Sequence, residues 1–189
     1  MMNTMSSESK KQKRLSEEIC KELYAKYETP ERVIKHCRAV GETGARIASA
    51  LNKAGYNFDV SLVRAAGLIH DLMRISDNHG EVAADLLESL GYVQEAKAVR
   101  NHMRYEFNAP ENITETDIFC LADRLVKEDE YVGIDERVDY LIDKPGKTAE
   151  RTKILIEKRE ETKIFIKALE IRMGVKIDSL FRNDESAKK

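Results

Sequence analysis

The sequence contains no tryptophan, only three prolines and only nine glycines among its 189 residues. Because proline and glycine form many of the turns between strands, their scarcity argues against an architecture of many short strands. No apolar run approaches the roughly 18 residues that a membrane-spanning helix needs. The polar residues 1–14 lack the apolar segment of a secretory signal. We therefore expect a cytoplasmic protein without membrane contact.

An excess of charge of one sign is also missing, since 32 Lys and Arg residues stand against 34 Asp and Glu residues. This balance argues against nucleic-acid binding through a bulk positive field, although a few local cations are enough for a small phosphorylated ligand. Cys20, Cys37 and Cys120 are odd in number, widely spaced and form no C-x-x-C pair. They indicate reduced thiols rather than a disulfide framework.

The chain length suits a single domain. We predict flexible tails at 1–10 and 183–189 and one helical domain at 11–182. Apolar periodicity, caps and helix stops predict an all-α fold of seven or eight helices without a convincing strand. The predicted helices are 9–27, 30–53 with Thr29 as a cap, 60–73 with Asp59 as a cap, 79–90, 93–104, 114–128, 134–143 and 148–173. Gly41 and Gly44 share a helix face and predict a close approach by a neighbouring helix.

A His-Asp pair, His70 and Asp71, stands at the end of the third predicted helix. That helix is apolar nearly all round and is therefore predicted to be buried. A buried ionised carboxylate costs several kcal/mol unless it is paired or coordinated. Taken alone, such a pair is more often a structural hydrogen bond or a charge at a helix terminus.

The other three histidines and one further aspartate make a metal-binding role more favourable than a structural one. His36, His79, His102 and Asp123 stand beside apolar stripes or at the start of predicted helices. Imidazoles and carboxylates at the inner edges of several helices are what a transition-metal site requires. Each residue alone is more often a satisfied core or surface residue, but the set together favours a metal.

The order of these residues resembles the HD-domain metal-dependent phosphohydrolase superfamily. The sequence AGLIHDLMR at 66–74 is similar to the signature helix of the family, and LADRLV at 121–126 is similar to its last motif. The resemblance covers about 30–130. It is nearest to phosphohydrolases like the bacterial symmetrical diadenosine tetraphosphate hydrolases and to HD modules beside molybdenum-cofactor nucleotidyltransferases. It implies an HD-domain-like helical bundle, to which this chain adds a long C-terminal helix.

The resemblance also implies a mechanism with one or two divalent ions of Fe, Mn, Co, Ni or Zn. His36, His70, Asp71 and Asp123 would hold one ion, and His79 and His102 would hold a second ion bridged by Asp71. A metal-bound hydroxide would attack phosphorus in a nucleotide or another small phosphorylated substrate. In the alternative with one ion, His79 or His102 contacts phosphate or protonates the leaving group.

By family analogy, Arg74 binds a substrate phosphate, and its alternative role is to solvate a helix C-terminus. Further phosphate candidates, each more often a surface charge, are Arg104, Arg124, Lys127 and Arg137. Asp77 is a candidate catalytic general acid, or else a cap for the helix that begins near His79.

Two other functions stay open at the level of sequence. An HD-type diiron oxygenase would keep the same residues but use iron and O₂. A non-catalytic module would keep a metal or a nucleotide for regulation. For the last helix, three alternatives also stay open: packing on the bundle, a homodimer interface, or a cover over the site.

Overall fold

The computed structural model describes residues 13–182, and the tails predicted at 1–10 and 183–189 lie outside them. Eight α-helices in this range confirm the all-α class, and α8 is the long C-terminal helix. They are α1 Glu17–Lys26, α2 Glu31–Lys53, α3 Val60–Ile69, α4 His79–Ser89, α5 Val93–Val99, α6 Glu115–Leu125, α7 Gly133–Asp143 and α8 Ala149–Met173. Short 3-10 turns cover His102–Arg104, Pro110–Asn112 and Ile177–Leu180. None of the helices in this range is long and apolar enough to cross a membrane.

The N-terminal boundaries of two helices differ from the prediction. Helix α1 begins at Glu17 because the Ser16 hydroxyl accepts the N–H of Ile19. Before it, the backbone N–H of the buried Leu15 donates to the buried Glu95 carboxylate instead of entering a helix. Thr29 does not cap α2, which begins after Pro30 without a side-chain cap, and the Thr29 hydroxyl donates to the carbonyl of Leu72.

Helices α3 and α5 both end earlier than predicted, for the same reason. The ring of His70 donates to the carbonyl of Gly67, and the ring of His102 donates to the carbonyl of Val99. In a continuing helix each of these carbonyls would accept a backbone N–H four residues later. The helical predictions for 70–73 and 100–104 were therefore wrong.

A hairpin that the sequence did not predict follows α6. Strands β1, Val126–Lys127, and β2, Glu130–Tyr131, pair antiparallel with Val126 opposite Tyr131. Helix α6 consequently ends at Leu125 instead of continuing to 128. Segments of two residues are too short to show the alternation by which a strand is recognised in a sequence.

The core lies between α2, α3 and α6, and glycines bring α2 and α3 together. A Cβ atom on Gly67 would lie 2.6 Å from Cα of Gly41, and one on Gly44 would lie 2.8 Å from a methyl of Val63. The close approach predicted from Gly41 and Gly44 is thus confirmed. It also places the rings of His36 and His70 with their centroids 5.4 Å apart.

Candidate metal centre

Five segments of the fold bring the six predicted ligands together. Helices α2, α4 and α6 carry His36, His79 and Asp123, and the turns after α3 and α5 carry the other three. His70, Asp71, His79 and His102 are buried, while His36 and Asp123 are only partly exposed. Helix packing therefore places residues up to 87 positions apart in one cluster.

One side of the cluster is built around His36 and His70. Nε2 of His36 lies 3.0 Å from Oδ1 of Asp123, and Nε2 of His70 lies 3.7 Å from the same oxygen. Nε2 of His70 is also 3.7 Å from Oδ2 of Asp71. Ligand atoms of His36, His70 and Asp71 all lie within 4.8 Å of one another, close enough for one cation.

The other side of the cluster is built on the second oxygen of Asp71. Oδ1 of Asp71 lies 3.0 Å from Nε2 of His79 and 3.6 Å from Nε2 of His102. These three residues also have ligand atoms within 4.8 Å of one another. Asp71 thus belongs to both triads, with a different oxygen facing each.

Three of the histidines are oriented through backbone carbonyls. Nδ1 of His36 is 2.7 Å from the carbonyl of Glu128, and the rings of His70 and His102 make the bonds that end α3 and α5. Because a carbonyl can only accept, each Nδ1 carries a proton, and each ring presents its Nε2 lone pair to the cluster when that nitrogen is deprotonated. Such bonds are the usual way in which a metal-binding histidine is held.

Several atoms at the centre of the cluster lack a suitable partner. Nε2 of His70 and Oδ1 of Asp71 are buried and make no hydrogen bond of acceptable geometry with any residue in 13–182. Nε2 atoms of His79 and His102 lie 3.3 Å apart, both beside that aspartate oxygen. Converging nitrogen lone pairs and carboxylate oxygens are poor partners for one another but good ligands for a cation. The cluster therefore fits a divalent transition-metal ion.

The ionisation of the cluster agrees with this fit. Burial lowers the pKa of His70 to about 4, so its imidazole is neutral at pH 7. Burial acts against ionisation of Asp71 and Asp123, but the neighbouring histidines outweigh it and hold the pKa of both carboxyls below the usual range. For His36 and His102, burial lowers the pKa, but the adjacent carboxylates of Asp123 and Asp71 outweigh it, so the pKa of both rings is raised.

Of the predicted substrate-binding cations, Arg74 lies at the rim of the cluster. Its Nε is 3.5 Å from Asp71, its Nη1 is 3.2 Å from Nε2 of His79, and 42% of its side chain is exposed. Arg104 is exposed in the turn that follows His102. Asp77 is exposed two residues before α4, where Asn78 and not Asp77 occupies the capping position.

The other candidate cations are engaged elsewhere in the fold. Arg124 donates to the hydroxyl of Thr162 and to the carbonyl of Tyr105, and its guanidinium stacks on a phenylalanine ring. Lys127 pairs with Glu136 at 2.8 Å. Arg137 lies over the ring of Tyr140. Their predicted roles as phosphate ligands stay predictions, since the structure shows each of them in contacts within the protein.

Sequence reasoning missed the groups that orient the ligands. They are the carbonyls of Gly67, Val99 and Glu128, together with Gly80. A Cβ atom on Gly80 would lie 2.9 Å from the carbonyl oxygen of Arg100 and 3.1 Å from Nδ1 of His102. A backbone carbonyl has no signature in a sequence, although His70 and His102 each stand three residues after the carbonyl that they contact.

Comparison with known proteins places the cluster within a family domain. The model of the HD domain family matches residues 33–127, which are just over half of the chain and include all six candidate ligands. An uncharacterized protein of Methanocaldococcus jannaschii is 43% identical over 65 residues, 33% of this chain and 38% of that protein. The chain thus covers well under two thirds of this relative. No solved structure matches the chain.

Proposed function

The chain belongs to the HD domain family, and we propose that it is a metal-dependent phosphohydrolase that acts on a small phosphorylated substrate, a nucleotide in the first instance. The observation that carries the proposal is the pair of buried, unpartnered atoms, Nε2 of His70 and Oδ1 of Asp71, inside a cluster of oriented ligands. A buried carboxylate oxygen that accepts no hydrogen bond is costly. A divalent ion would remove this cost.

We assign the ion-binding roles to His36, His70, Asp71 and Asp123 for one site, and to Asp71, His79 and His102 for a second. A divalent ion bound there supplies a Lewis acid that polarises a phosphoryl oxygen and makes water a stronger nucleophile. Asp71 has one oxygen toward each triad, which supports its role as the residue shared by two ions.

Arg74 is the residue that we propose to bind and orient the reacting phosphate. Its side chain is partly exposed while its guanidinium touches Asp71 and His79, so one side faces the cluster and the other can face a ligand. Arg104, exposed beside His102, is the second candidate for a phosphate contact. Asp77 remains a candidate general acid for protonation of the leaving group.

We also propose a substrate class and a cellular compartment for the protein. The resemblance to diadenosine tetraphosphate hydrolases and to the molybdenum-linked modules favours nucleotides and dinucleoside polyphosphates as first substrates to test. Cys20, Cys37 and Cys120 are free and buried. Free thiols are compatible with a reducing compartment, and we propose the cytoplasm.

Phosphate release from nucleotides, dinucleoside polyphosphates and simple phosphate esters tests the proposal. The chain is stripped with a chelator and reloaded with Mn, Fe, Co, Ni or Zn. We expect release with at least one metal and a loss of at least about 100-fold in Asp71→Asn, since a ligand to both ions is altered. The matched control is Asp143→Asn, which changes an exposed carboxyl at the end of α7.

Two results would contradict the proposal. One is the absence of release with every metal although metal is bound stoichiometrically. Oxygen consumption by the iron-loaded chain would then support the diiron oxygenase instead. The other is equal release by the wild-type chain and Asp71→Asn, which would place the activity outside this cluster.

A further inference from the structure

Helix α8 carries apolar side chains on two opposite faces. Leu155, Phe165 and Leu169 are buried against the bundle. Ile156, Ile164 and Ile171 stand on the other side, where they are 47%, 72% and 72% exposed. At about 100° per residue, these three isoleucines fall within about 80° of the helix circumference. They form one line rather than scattered surface positions.

Two exposed charges lie on the same line, between the isoleucines. Glu160 follows Ile156 by four residues, and Lys167 precedes Ile171 by four residues. We call the five residues Ile156, Glu160, Ile164, Lys167 and Ile171 the exposed stripe. It runs about 22 Å along the helix.

The order of residues in the exposed stripe is self-complementary when it is reversed. With a twofold axis beside Ile164, Ile156 of one copy lies opposite Ile171 of the other, and Glu160 lies opposite Lys167. The two Ile164 side chains then meet at the axis. A parallel pairing would place Glu160 against Glu160 and Lys167 against Lys167, which repel.

The existing contacts of the two charges leave them able to pair across such an axis. Among the residues that the structure describes, Glu160 has only an exposed ion-pair contact of 3.6 Å with Lys163 of its own helix, and such contacts contribute little. Lys167 has no ion-pair partner among residues 13–182. We propose that the exposed stripe is the interface of an antiparallel homodimer, in which helix α8 of one copy packs on helix α8 of a second copy.

The mass of the full chain in solution tests the dimer, measured by light scattering during gel filtration at about 100 µM. We expect twice the chain mass of 21.6 kDa. Ile164→Glu places a charge at the axis and should return the mass to that of one chain. Val93→Glu, which alters an apolar residue on α5 that is 56% exposed, is the matched control and should leave the dimer intact.

Charge reversal distinguishes the antiparallel arrangement from any other use of the same face. Glu160→Lys and Lys167→Glu should each raise the dimer dissociation constant about tenfold at low salt, because like charges then face each other. The double variant should restore it to within about threefold of the wild type. Circular dichroism of each variant shows whether the fold is retained.

Disulfide cross-linking tests the proposed dimer in a way that does not depend on the dimer dissociation constant. The native cysteines are buried, so Ile164→Cys introduces an accessible thiol at the proposed axis. Oxidation should link the two copies through this thiol, and Val93→Cys should not link them. The proposal is overturned by a monomeric wild-type chain, by a dimer that Ile164→Glu leaves unchanged, or by a double charge variant that is no better than the single ones.

Discussion

At the scale of single residues, two buried aspartates have opposite surroundings. Asp117 is fully buried and accepts hydrogen bonds from the backbone and side chain of Asn108 and from the backbone and hydroxyl of Thr114. Asp71 is almost as deeply buried, yet its Oδ1 has no hydrogen bond of acceptable geometry. A carboxylate whose oxygens all accept hydrogen bonds is typical of a structural role. The missing hydrogen bond at Oδ1 of Asp71 indicates instead a metal ligand.

This contrast predicts different losses for the same substitution. Asp117→Asn should lower the free energy of unfolding by about 1–3 kcal/mol, since an amide nitrogen cannot accept from the donors around it. The Asp117→Asn variant should still bind metal. Asp71→Asn should lose metal binding, with a smaller change in the stability of the metal-free chain. Denaturant unfolding and metal content of both variants check the prediction, and the reverse pattern would contradict it.

Gly80 supplies a second prediction at this scale. Gly80→Ala should displace His102 or separate α4 from α5, because the added Cβ would press on the carbonyl of Arg100 and on Nδ1 of His102. We expect at least about a tenfold loss of metal affinity, the usual effect of disturbing a group that orients a ligand.

The control for this change is Gly174→Ala, in which the added Cβ meets no atom within 4 Å but the residue keeps a φ of 70° that disfavours a side chain. It should cost about 1–2 kcal/mol of stability and should leave the metal affinity nearly unchanged. Equal metal affinity in wild type and Gly80→Ala, measured by isothermal titration, would show that Gly80 does not position His102.

At the scale of elements, the starts of α3, α6 and α8 were predicted to within one residue, whereas the start of α1 after its cap Ser16 and the ends of α3 and α5 were not. Asp59, Thr114 and Thr148 accept backbone N–H groups at the starts of α3, α6 and α8, as their residue types suggest. The ends of α3 and α5 depend on histidine rings that bond backwards to carbonyls, and this competition is decided by tertiary packing. The hairpin at 126–131 escaped prediction because its turn begins at Glu128, a residue type that rarely adopts positive φ.

The cap of α3 gives a prediction about pH. Burial raises the pKa of Asp59, but hydrogen bonds from Ser61, Arg14 and the N–H of Leu62 outweigh it and lower the pKa to about 2. A carboxyl with a folded-state pKa below its unfolded value of about 3.9 stabilises the fold above pH 4. This stabilisation is lost as the pH falls toward 2.

Asp59→Asn should therefore be less stable than the wild type at pH 7 by about 0.5–1 kcal/mol, a modest value because the group is partly exposed and Asn can still cap. The difference should shrink between pH 4 and pH 2. Thermal unfolding of both proteins across this range measures it, with Asp143→Asn as control. A difference that stays constant with pH would show that the ionised carboxylate is not its source.

At the scale of the whole molecule, the sequence predicted which residues converge but not how they are held. The convergence of the six candidate ligands could be predicted because their types and order are distinctive, and α2, α3 and α6 bring His36, His70 and Asp123 together around one core. The division into two groups that share Asp71 was implied only by the family resemblance. Residue spacing does not define it, since it depends on ring orientations set by backbone carbonyls. The engagement of Arg124 with Thr162 likewise depends on where α8 packs.

Metal binding should also stabilise the whole fold, because the ligands come from distant parts of the chain. A metal at about 100 times its dissociation constant adds about 2.7 kcal/mol, which corresponds to a rise in Tm of about 5–10 °C for a chain of this size. Calorimetry before and after chelation measures the shift. Asp71→Asn should show little or none of it, and an equal shift in both proteins would place the stabilising metal elsewhere.

The number of metal ions bound per chain tests the central claim most directly. It is measured by elemental analysis after reloading and exhaustive dialysis, for the wild-type chain, Asp71→Asn and Asp143→Asn. We predict one or two ions for the wild type and for Asp143→Asn, and fewer than about 0.2 for Asp71→Asn, in which both triads lose a carboxylate ligand. A wild-type chain that retains no metal, or an Asp71→Asn chain that retains as much as the wild type, would contradict the account.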